Sequence, residues 1–78
     1  MYLMRQRYEM PQDVLDALTA SGVKGDYEAR PAYQRNDYIG WITRAAKDET
    51  RQKRIDQMVA ELRAGGVYMK MAHPASAK

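Results

Sequence analysis

The sequence predicts a mainly α, small three-helix domain, and three observations indicate this fold class. Three segments carry apolar residues at helical spacing and are bounded by residues that begin or end helices. The chain has 78 residues, about half a typical domain, so it has room for one core. Only 11 residues are Leu, Ile, Val or Phe, but most of them fall within these segments, and the net charge is only +3. We therefore expect a folded domain with a thin core rather than a disordered chain.

The first predicted helix begins at Pro11, a residue that is favoured at the first helical position. Acidic residues follow in its early turns, where the helix dipole favours negative charge. Its apolar stripe consists of Val14, Leu15 and Leu18. The helix ends at Ser21-Gly22. Residues 23–30 hold mixed charges without a period, and they predict a loop with room for one short turn around Tyr27.

The second predicted helix begins at Pro31 and ends near Ala46. Its apolar side has members three and four residues apart, namely Tyr38, Trp41, Ile42 and Ala45. We expect Trp41 to anchor the core rather than to stack on a ligand. The third predicted helix has Asp48 as its N-cap and stops at Gly65-Gly66. Its stripe shows the full i, i+3, i+4, i+7 pattern, in Ile55, Met58, Val59 and Leu62.

The two ends of the chain alternate with a period of two instead. Residues 2–10 and 67–71 predict either two short terminal β-strands, which pair beside the helices or across a dimer axis, or an irregular arm and a frayed tail. We prefer the irregular arm, because a lone two-stranded ribbon is marginal in water. Residues 72–78 are expected to be disordered. The predicted organisation is an N-terminal arm or short strand over 1–9, a helical domain over 10–66, and a short strand or disordered tail over 67–78.

The composition argues against most catalytic and metal sites. The chain has no Cys and a single His, His73, which excludes disulfides, thiolate nucleophiles and zinc sites rich in Cys or His. Seven acidic residues are predicted to lie at helix starts or on polar faces: Asp13, Asp16, Asp37, Asp48, Glu49, Asp56 and Glu61. We therefore predict no catalytic residue, metal or cofactor, and no enzyme. The lack of Cys and of an apolar run of about 20 residues predicts a cytoplasmic protein.

Basic residues concentrate in the second half of the chain. Residues 1–37 carry a net charge of −1 and residues 38–78 a net charge of +4. A candidate anion- or partner-binding cluster lies between the second and third helices and consists of Arg44, Lys47, Arg51 and Arg54. An unknown protein is the preferred partner. Nucleic acid is less favoured, because 10 acidic residues offset the positive charge and no nucleic-acid motif is recognised. We expect a monomer or a weak homodimer.

Two runs of residues resemble a known family. Residues 38–45 read Tyr-Ile-Gly-Trp-Ile-Thr-Arg-Ala, and residues 49–55 read Glu-Thr-Arg-Gln-Lys-Arg-Ile. Together with a Pro-Gln-Asp opening at residue 11, they resemble the YdeI/OmpD-associated family, also called bacteriocin-protection proteins. The resemblance covers roughly residues 10–66. Its structural motif residues are Tyr38, Trp41, Ile42, Thr50, Ile55 and Leu62. The chain departs from the usual pattern at Ala46, where the family has Lys.

The resemblance implies a small helical domain associated with tolerance of bacteriocins or cationic antimicrobial peptides. We therefore expect a non-enzymatic bacterial module that binds an unidentified partner in antimicrobial-peptide or envelope-stress tolerance. The alternative is a module that binds nucleic acid or a phosphate ligand through the basic cluster. Arg51 and Arg54 are expected to act mainly as structural ties that reach the second helix or the loop acids Asp26 and Glu28, with ligand contact as the alternative.

Overall fold

A computed structural model describes residues 7–76 of the chain. The helices are α1 (Gln12–Ala20), α2 (Lys24–Glu28), α3 (Ala32–Thr43) and α4 (Asp48–Ala64). A short antiparallel hairpin of β1 (Val67–Tyr68) and β2 (Met71–Ala72) follows, and then a 3-10 turn at Pro74–Ser76. The predicted mainly α fold with three longer helices is confirmed. The short helix α2 lies where the sequence predicts a loop with a turn around Tyr27.

The core is formed by apolar side chains from all four helices. Its buried members are Val14, Leu18, Val23, Tyr27, Tyr38, Ile39, Ile42, Ile55, Met58 and Leu62. Full burial of one aliphatic or aromatic side chain of this kind stabilises a fold by about 1.5–3 kcal/mol. The stripe predicted for the third helix therefore faces the core, whereas in the first helix Val14 and Leu18 face it and Leu15 is only half-buried. Trp41 and Val59 are half-buried and pack against its edge.

The helix ends differ from the predicted ones by one to three residues. Helix α3 ends at Thr43 rather than near Ala46, and the amide of Arg44 closes its last turn on the carbonyl of Gly40 at 3.1 Å. Lys47, not Asp48, occupies the N-cap position of α4. Asp48 instead lies in the first turn, where its charge still interacts favourably with the helix dipole.

The two ends of the chain do not pair with each other over the described residues. Residues 7–10 have no regular secondary structure, and residues 1–6 lie outside the described part. The strand at Val67–Tyr68 pairs with Met71–Ala72, with Val67 opposite Ala72. The period-two pattern at the C-terminal end therefore reports a local hairpin.

The prediction that residues 72–78 are disordered is wrong for residues 72–76. Ala72 belongs to β2, and the amide of His73 donates to the carbonyl of Gly66 at 2.7 Å. The His73 ring also reaches Gln34 of α3, with 2.9 Å between the two Nε2 atoms. These contacts hold the segment against the helices. The composition of the segment, which is rich in small residues, does not reveal contacts with residues distant in sequence.

Candidate functional site

An open groove with a volume of about 350 Å³ lies where the N-terminal segment, α3 and the hairpin meet. Helix α3 supplies one side of it, because residues 37, 41 and 44 are four and three apart and so share a helix face. The lining residues are Tyr8, Asn36, Asp37, Trp41, Arg44, Tyr68 and Met69. A groove of this size is large enough for a small ligand or a short piece of peptide.

Tyr8 forms the N-terminal wall of the groove. Its amide donates to Oδ1 of Asn36 at 2.9 Å. Its ring lies directly on Gly40, where an added Cβ would approach Cε2 of Tyr8 to 2.6 Å. Glycine at position 40 therefore provides the space in which the ring contacts the helix backbone.

Tyr68 forms the opposite wall, and several contacts hold it there. Its hydroxyl donates to Oδ2 of Asp37 at 2.5 Å. Its ring makes edge-to-face contacts with Tyr38, at 5.5 Å between ring centres, and with Tyr33, at 6.0 Å. Such aromatic pairs contribute about 0.5–1.5 kcal/mol beyond the area that they bury. The hairpin wall is thus attached to α3 by both polar and aromatic contacts.

The side chain of Glu61 in α4 supports the turn of the hairpin. Its central residues, Met69 and Lys70, have φ angles of 51° and 64°. Positive φ at both positions is what a tight two-residue hairpin turn needs, but it costs non-glycine residues free energy. The Glu61 carboxylate accepts both turn amides, each at 2.8 Å, so charge-assisted hydrogen bonds offset that cost.

Glu61 is buried, with 6% of its surface exposed, so the prediction that it lies on a polar face is wrong. The residue comes three positions after Met58, which places it on the inward face of α4. Its carboxylate also accepts hydrogen bonds from the Tyr38 hydroxyl and from Nε2 of Gln57. Burial raises the pKa of Tyr38, and the hydrogen bond to Glu61 raises it further, so Tyr38 remains a protonated donor.

A second buried polar group lies next to Glu61. Arg30 donates from Nη2 to the backbone carbonyl of Glu61 and from Nη1 to Oε1 of Gln34, each at 3.2 Å. Because Oε1 of Gln34 accepts from Arg30, its Nε2 is the donor, and it contacts the Tyr33 hydroxyl at 3.1 Å. Nε2 of His73 then accepts from the same amide. This network, the buried polar cluster, connects α3, α4 and the hairpin.

The four basic residues that the sequence groups together have different surroundings in the structure. Arg44 lines the groove and is exposed, and its guanidinium donates no hydrogen bond within residues 7–76. Lys47 is exposed at the start of α4. Arg51 and Arg54 direct donors to two different protein partners.

Arg54 reaches the second predicted helix, as expected, whereas Arg51 reaches α1 rather than the second predicted helix or the loop acids Asp26 and Glu28. Nε and Nη2 of Arg51 donate to the carboxylate of Asp13 in α1, at 2.8 and 3.0 Å. These hydrogen bonds lower the pKa of Asp13. Nη1 of Arg54 donates to the carbonyl of Trp41 at 2.6 Å, and its guanidinium lies 5.3 Å from the centre of the Trp41 ring.

The motif residues of the resemblance are placed mainly in the core. Four of them are buried, Tyr38, Ile42, Ile55 and Leu62, while Trp41 and Thr50 are half-buried. Trp41 has two roles, because it packs against the core and also lines the groove. Core anchoring alone is therefore an incomplete account of this residue.

Sequence reasoning missed most of the groove. The spacing of residues 37, 41 and 44 is a signal that could have joined Asp37 to Trp41 and Arg44. No comparable signal links Tyr8 or the hairpin to that helix face, because these contacts span about thirty residues or more.

Within residues 7–76, no group of three or more His, Cys, Asp or Glu residues is arranged to hold a metal ion. No helix in the same part of the chain combines the length and the apolar character that crossing a membrane requires.

The chain matches the model of a known protein family. No curated protein and no solved structure matches the chain significantly. The model of one protein family, described as "Bacteriocin-protection, YdeI or OmpD-Associated", matches residues 7–65. The match includes Tyr8 and all four helices and ends just before the hairpin. Because it spans well over half of the sequence, the chain belongs to the bacteriocin-protection, YdeI or OmpD-associated family.

Proposed function

We propose that the chain is a non-enzymatic binding module that holds a short segment of a protein or peptide partner in the groove. The observation that carries this proposal is the lining of the groove, which contains three aromatic side chains, Tyr8, Trp41 and Tyr68, together with the exposed cation of Arg44. Aromatic and arginine side chains are enriched among the residues that dominate protein–protein binding energy. The family supports a role in tolerance of bacteriocins or antimicrobial peptides.

Binding is better supported than catalysis because the polar groups of the groove serve its construction. Asp37 accepts a hydrogen bond from Tyr68, and Asn36 accepts one from the amide of Tyr8. Both side chains therefore hold the walls in place. A general acid or base would instead need a polar group aimed at a reacting atom.

The alternative function, binding of nucleic acid or a phosphate ligand by the basic cluster, receives less support. Arg51 and Arg54 direct donors to Asp13 and Trp41, and the net charge is only +3. Titration with labelled DNA and RNA at two salt concentrations tests this alternative. We expect no binding at low salt, whereas binding that weakens steeply with salt would favour the alternative.

Co-purification from a bacterial lysate followed by mass spectrometry tests the proposed function. The matched variants are Arg44→Glu, in the groove, and Lys53→Glu, on the exposed surface of α4. We expect a partner that is captured by the wild type and by Lys53→Glu, but not by Arg44→Glu. Circular dichroism checks that each variant is folded. Capture of the same proteins by all three chains would contradict binding in the groove.

A survival assay tests the protective setting separately. The protein is expressed in a bacteriocin-sensitive strain, inside the cytoplasm, a setting that its cysteine-free composition favours. We expect higher survival with the wild type and with Lys53→Glu than with Arg44→Glu. Equal survival with and without the wild-type protein would remove the protective role and leave the binding proposal to the co-purification result.

A further inference from the structure

We infer that the groove recognises a peptide carboxylate that is carried next to an aromatic side chain. The carboxylate can belong to a chain end or to an acidic residue, since both present the same chemistry. This inference rests on the proposed function and adds the chemical class of the ligand to it.

Arg44 is the cation that lines the groove. Four arginines direct donors to protein groups: Arg30 to Gln34 and Glu61, Arg51 to Asp13, Arg54 to Trp41, and Arg63 to Ser21. Arg7 and Arg35 donate no side-chain hydrogen bond within residues 7–76, but neither lines the groove. The guanidinium of Arg44 has no such partner within residues 7–76, and it is exposed at the groove. A planar guanidinium with its donors free matches the two oxygens of a carboxylate.

The groove carries one acidic and one basic side chain, Asp37 and Arg44. Asp37 lies seven residues before Arg44, which corresponds to about 10 Å along a helix axis. The two charges therefore lie at opposite ends of the α3 face, and a ligand carboxylate is favoured at the Arg44 end only. The C-terminus of α3 adds a partial negative charge of about half a unit there, which the full charge of Arg44 exceeds.

Aromatic and apolar side chains line the groove together with Arg44. Trp41 lies one helical turn before it, and Tyr8 and Met69 line the same groove. Aromatic rings and the adaptable thioether of Met favour an aromatic side chain of the ligand. The volume of about 350 Å³ is near the lower end of ligand sites, so the ligand is a short piece of peptide.

Fluorescence of Trp41 can report binding directly, because it is the single tryptophan of the chain and it lines the groove. Three peptides serve as probes: acetyl-Ala-Phe with a free C-terminal carboxylate, its C-terminal amide, and acetyl-Asp-Phe amide. We expect a saturable change with at least one carboxylate peptide and at least about tenfold weaker binding of the neutral amide, a difference of about 1.4 kcal/mol. Comparison of the two carboxylate peptides identifies a chain end or an acidic side chain as the source.

Substitutions test whether Arg44 is the residue that binds the carboxylate. Arg44→Gln is expected to weaken binding of the carboxylate peptide about tenfold and to leave the affinity for the neutral amide unchanged. Lys53→Gln is expected to leave the affinity for both peptides unchanged. Equal binding of acid and amide, or equal affinity of wild type and Arg44→Gln, would overturn the inference. Failure of every probe to saturate at millimolar concentrations would overturn it as well. A neutral peptide that binds as well as the acid would still support peptide binding in the groove, so this failure is distinguishable from failure of the proposed function.

Discussion

Glu61 shows how one buried carboxylate can organise several elements. Its two oxygens accept hydrogen bonds from the Tyr38 hydroxyl, the Gln57 amide and the backbone amides of Met69 and Lys70. A side-chain amide at this position has one acceptor oxygen and would turn an NH₂ donor toward another donor. Glu61 is therefore required for its charge as well as for its shape.

Glu61→Gln is expected to destabilise the protein by about 2–3 kcal/mol, because a buried donor then loses its acceptor. Urea denaturation followed by circular dichroism measures the change. Glu28→Gln is the control, since Glu28 is exposed at the end of α2 and should shift the midpoint little. Equal midpoints for the two variants would show that the carboxylate does not stabilise the hairpin turn.

Gly40→Ala separates docking of the N-terminal segment from global stability. An alanine in the interior of α3 gains up to about 1 kcal/mol of helix propensity. Its Cβ would also displace the Tyr8 ring, which it approaches to 2.6 Å. We expect little net change in unfolding free energy but faster hydrogen exchange of the Tyr8 amide, which donates to Asn36. In a Tyr8→Ala background the same substitution should stabilise the protein, and a loss of stability there would contradict this account.

At the scale of elements, two arginines attach α4 to its neighbours with different strengths. The Arg51–Asp13 pair joins α4 to α1, but its side chains are 26% and 49% exposed. The Arg54–Trp41 contact joins α4 to α3 and combines a hydrogen bond with stacking on a half-buried ring. Solvent screens the first contact more than the second.

Arg51→Gln is expected to cost only about 0.2–1 kcal/mol at pH 7, as is typical of exposed ion pairs. Because Arg51 lowers the pKa of Asp13 in the folded state, this contribution is present above the usual Asp pKa of 3.8 and is lost as pH falls through the lower folded value. Urea midpoints of the wild type and the variant should therefore converge below about pH 4. A gap that widens on acidification would contradict this assignment.

Arg54→Ala is expected to cost more, about 1–3 kcal/mol, since it removes a charge-assisted hydrogen bond and the contact with the Trp41 ring. Thermal melting of Arg51→Gln and Arg54→Ala compares the two interhelical contacts directly. Lys53→Ala, on the exposed side of α4, controls for general effects of charge. Melting temperatures of Arg54→Ala and Lys53→Ala that agree with the wild type would sink the structural interpretation of this arginine.

How well each element could be predicted depends on where its determinants lie. The apolar stripe of α4 lies within the helix and its glycine stop follows it directly, so the sequence predicts its boundaries within one residue. Helix α2 has five residues, too few to show a period. The hairpin was signalled by alternation, but its turn lacks Gly and Asn and depends on Glu61 from α4. Arg44 was found from local charge, whereas the groove around it depends on contacts distant in sequence.

At the scale of the whole molecule, polar and aromatic contacts supplement a small apolar core. The chain has few Leu, Ile and Val residues and no Phe, and Tyr27, Tyr38 and Met58 supply part of the buried volume. The buried polar cluster of Arg30, Gln34 and Glu61 then adds hydrogen bonds between α3 and α4, which also share the apolar core. A satisfied network of this kind stabilises one arrangement of the helices, but removal of any single member is costly.

The support of the hairpin turn by Glu61 has a consequence for where the domain ends. A fragment cut at residue 66 keeps all four helices and the whole region matched by the family, yet it leaves Glu61 without two of its donors. We expect this fragment to be less stable than the full chain by at least about 2 kcal/mol in urea denaturation. Glu61→Leu should destabilise the full chain but not the fragment. An equal loss of unfolding free energy in both would refute the view that Glu61 stabilises the domain through the hairpin turn. A boundary drawn from sequence similarity would thus divide a single cooperative folding unit.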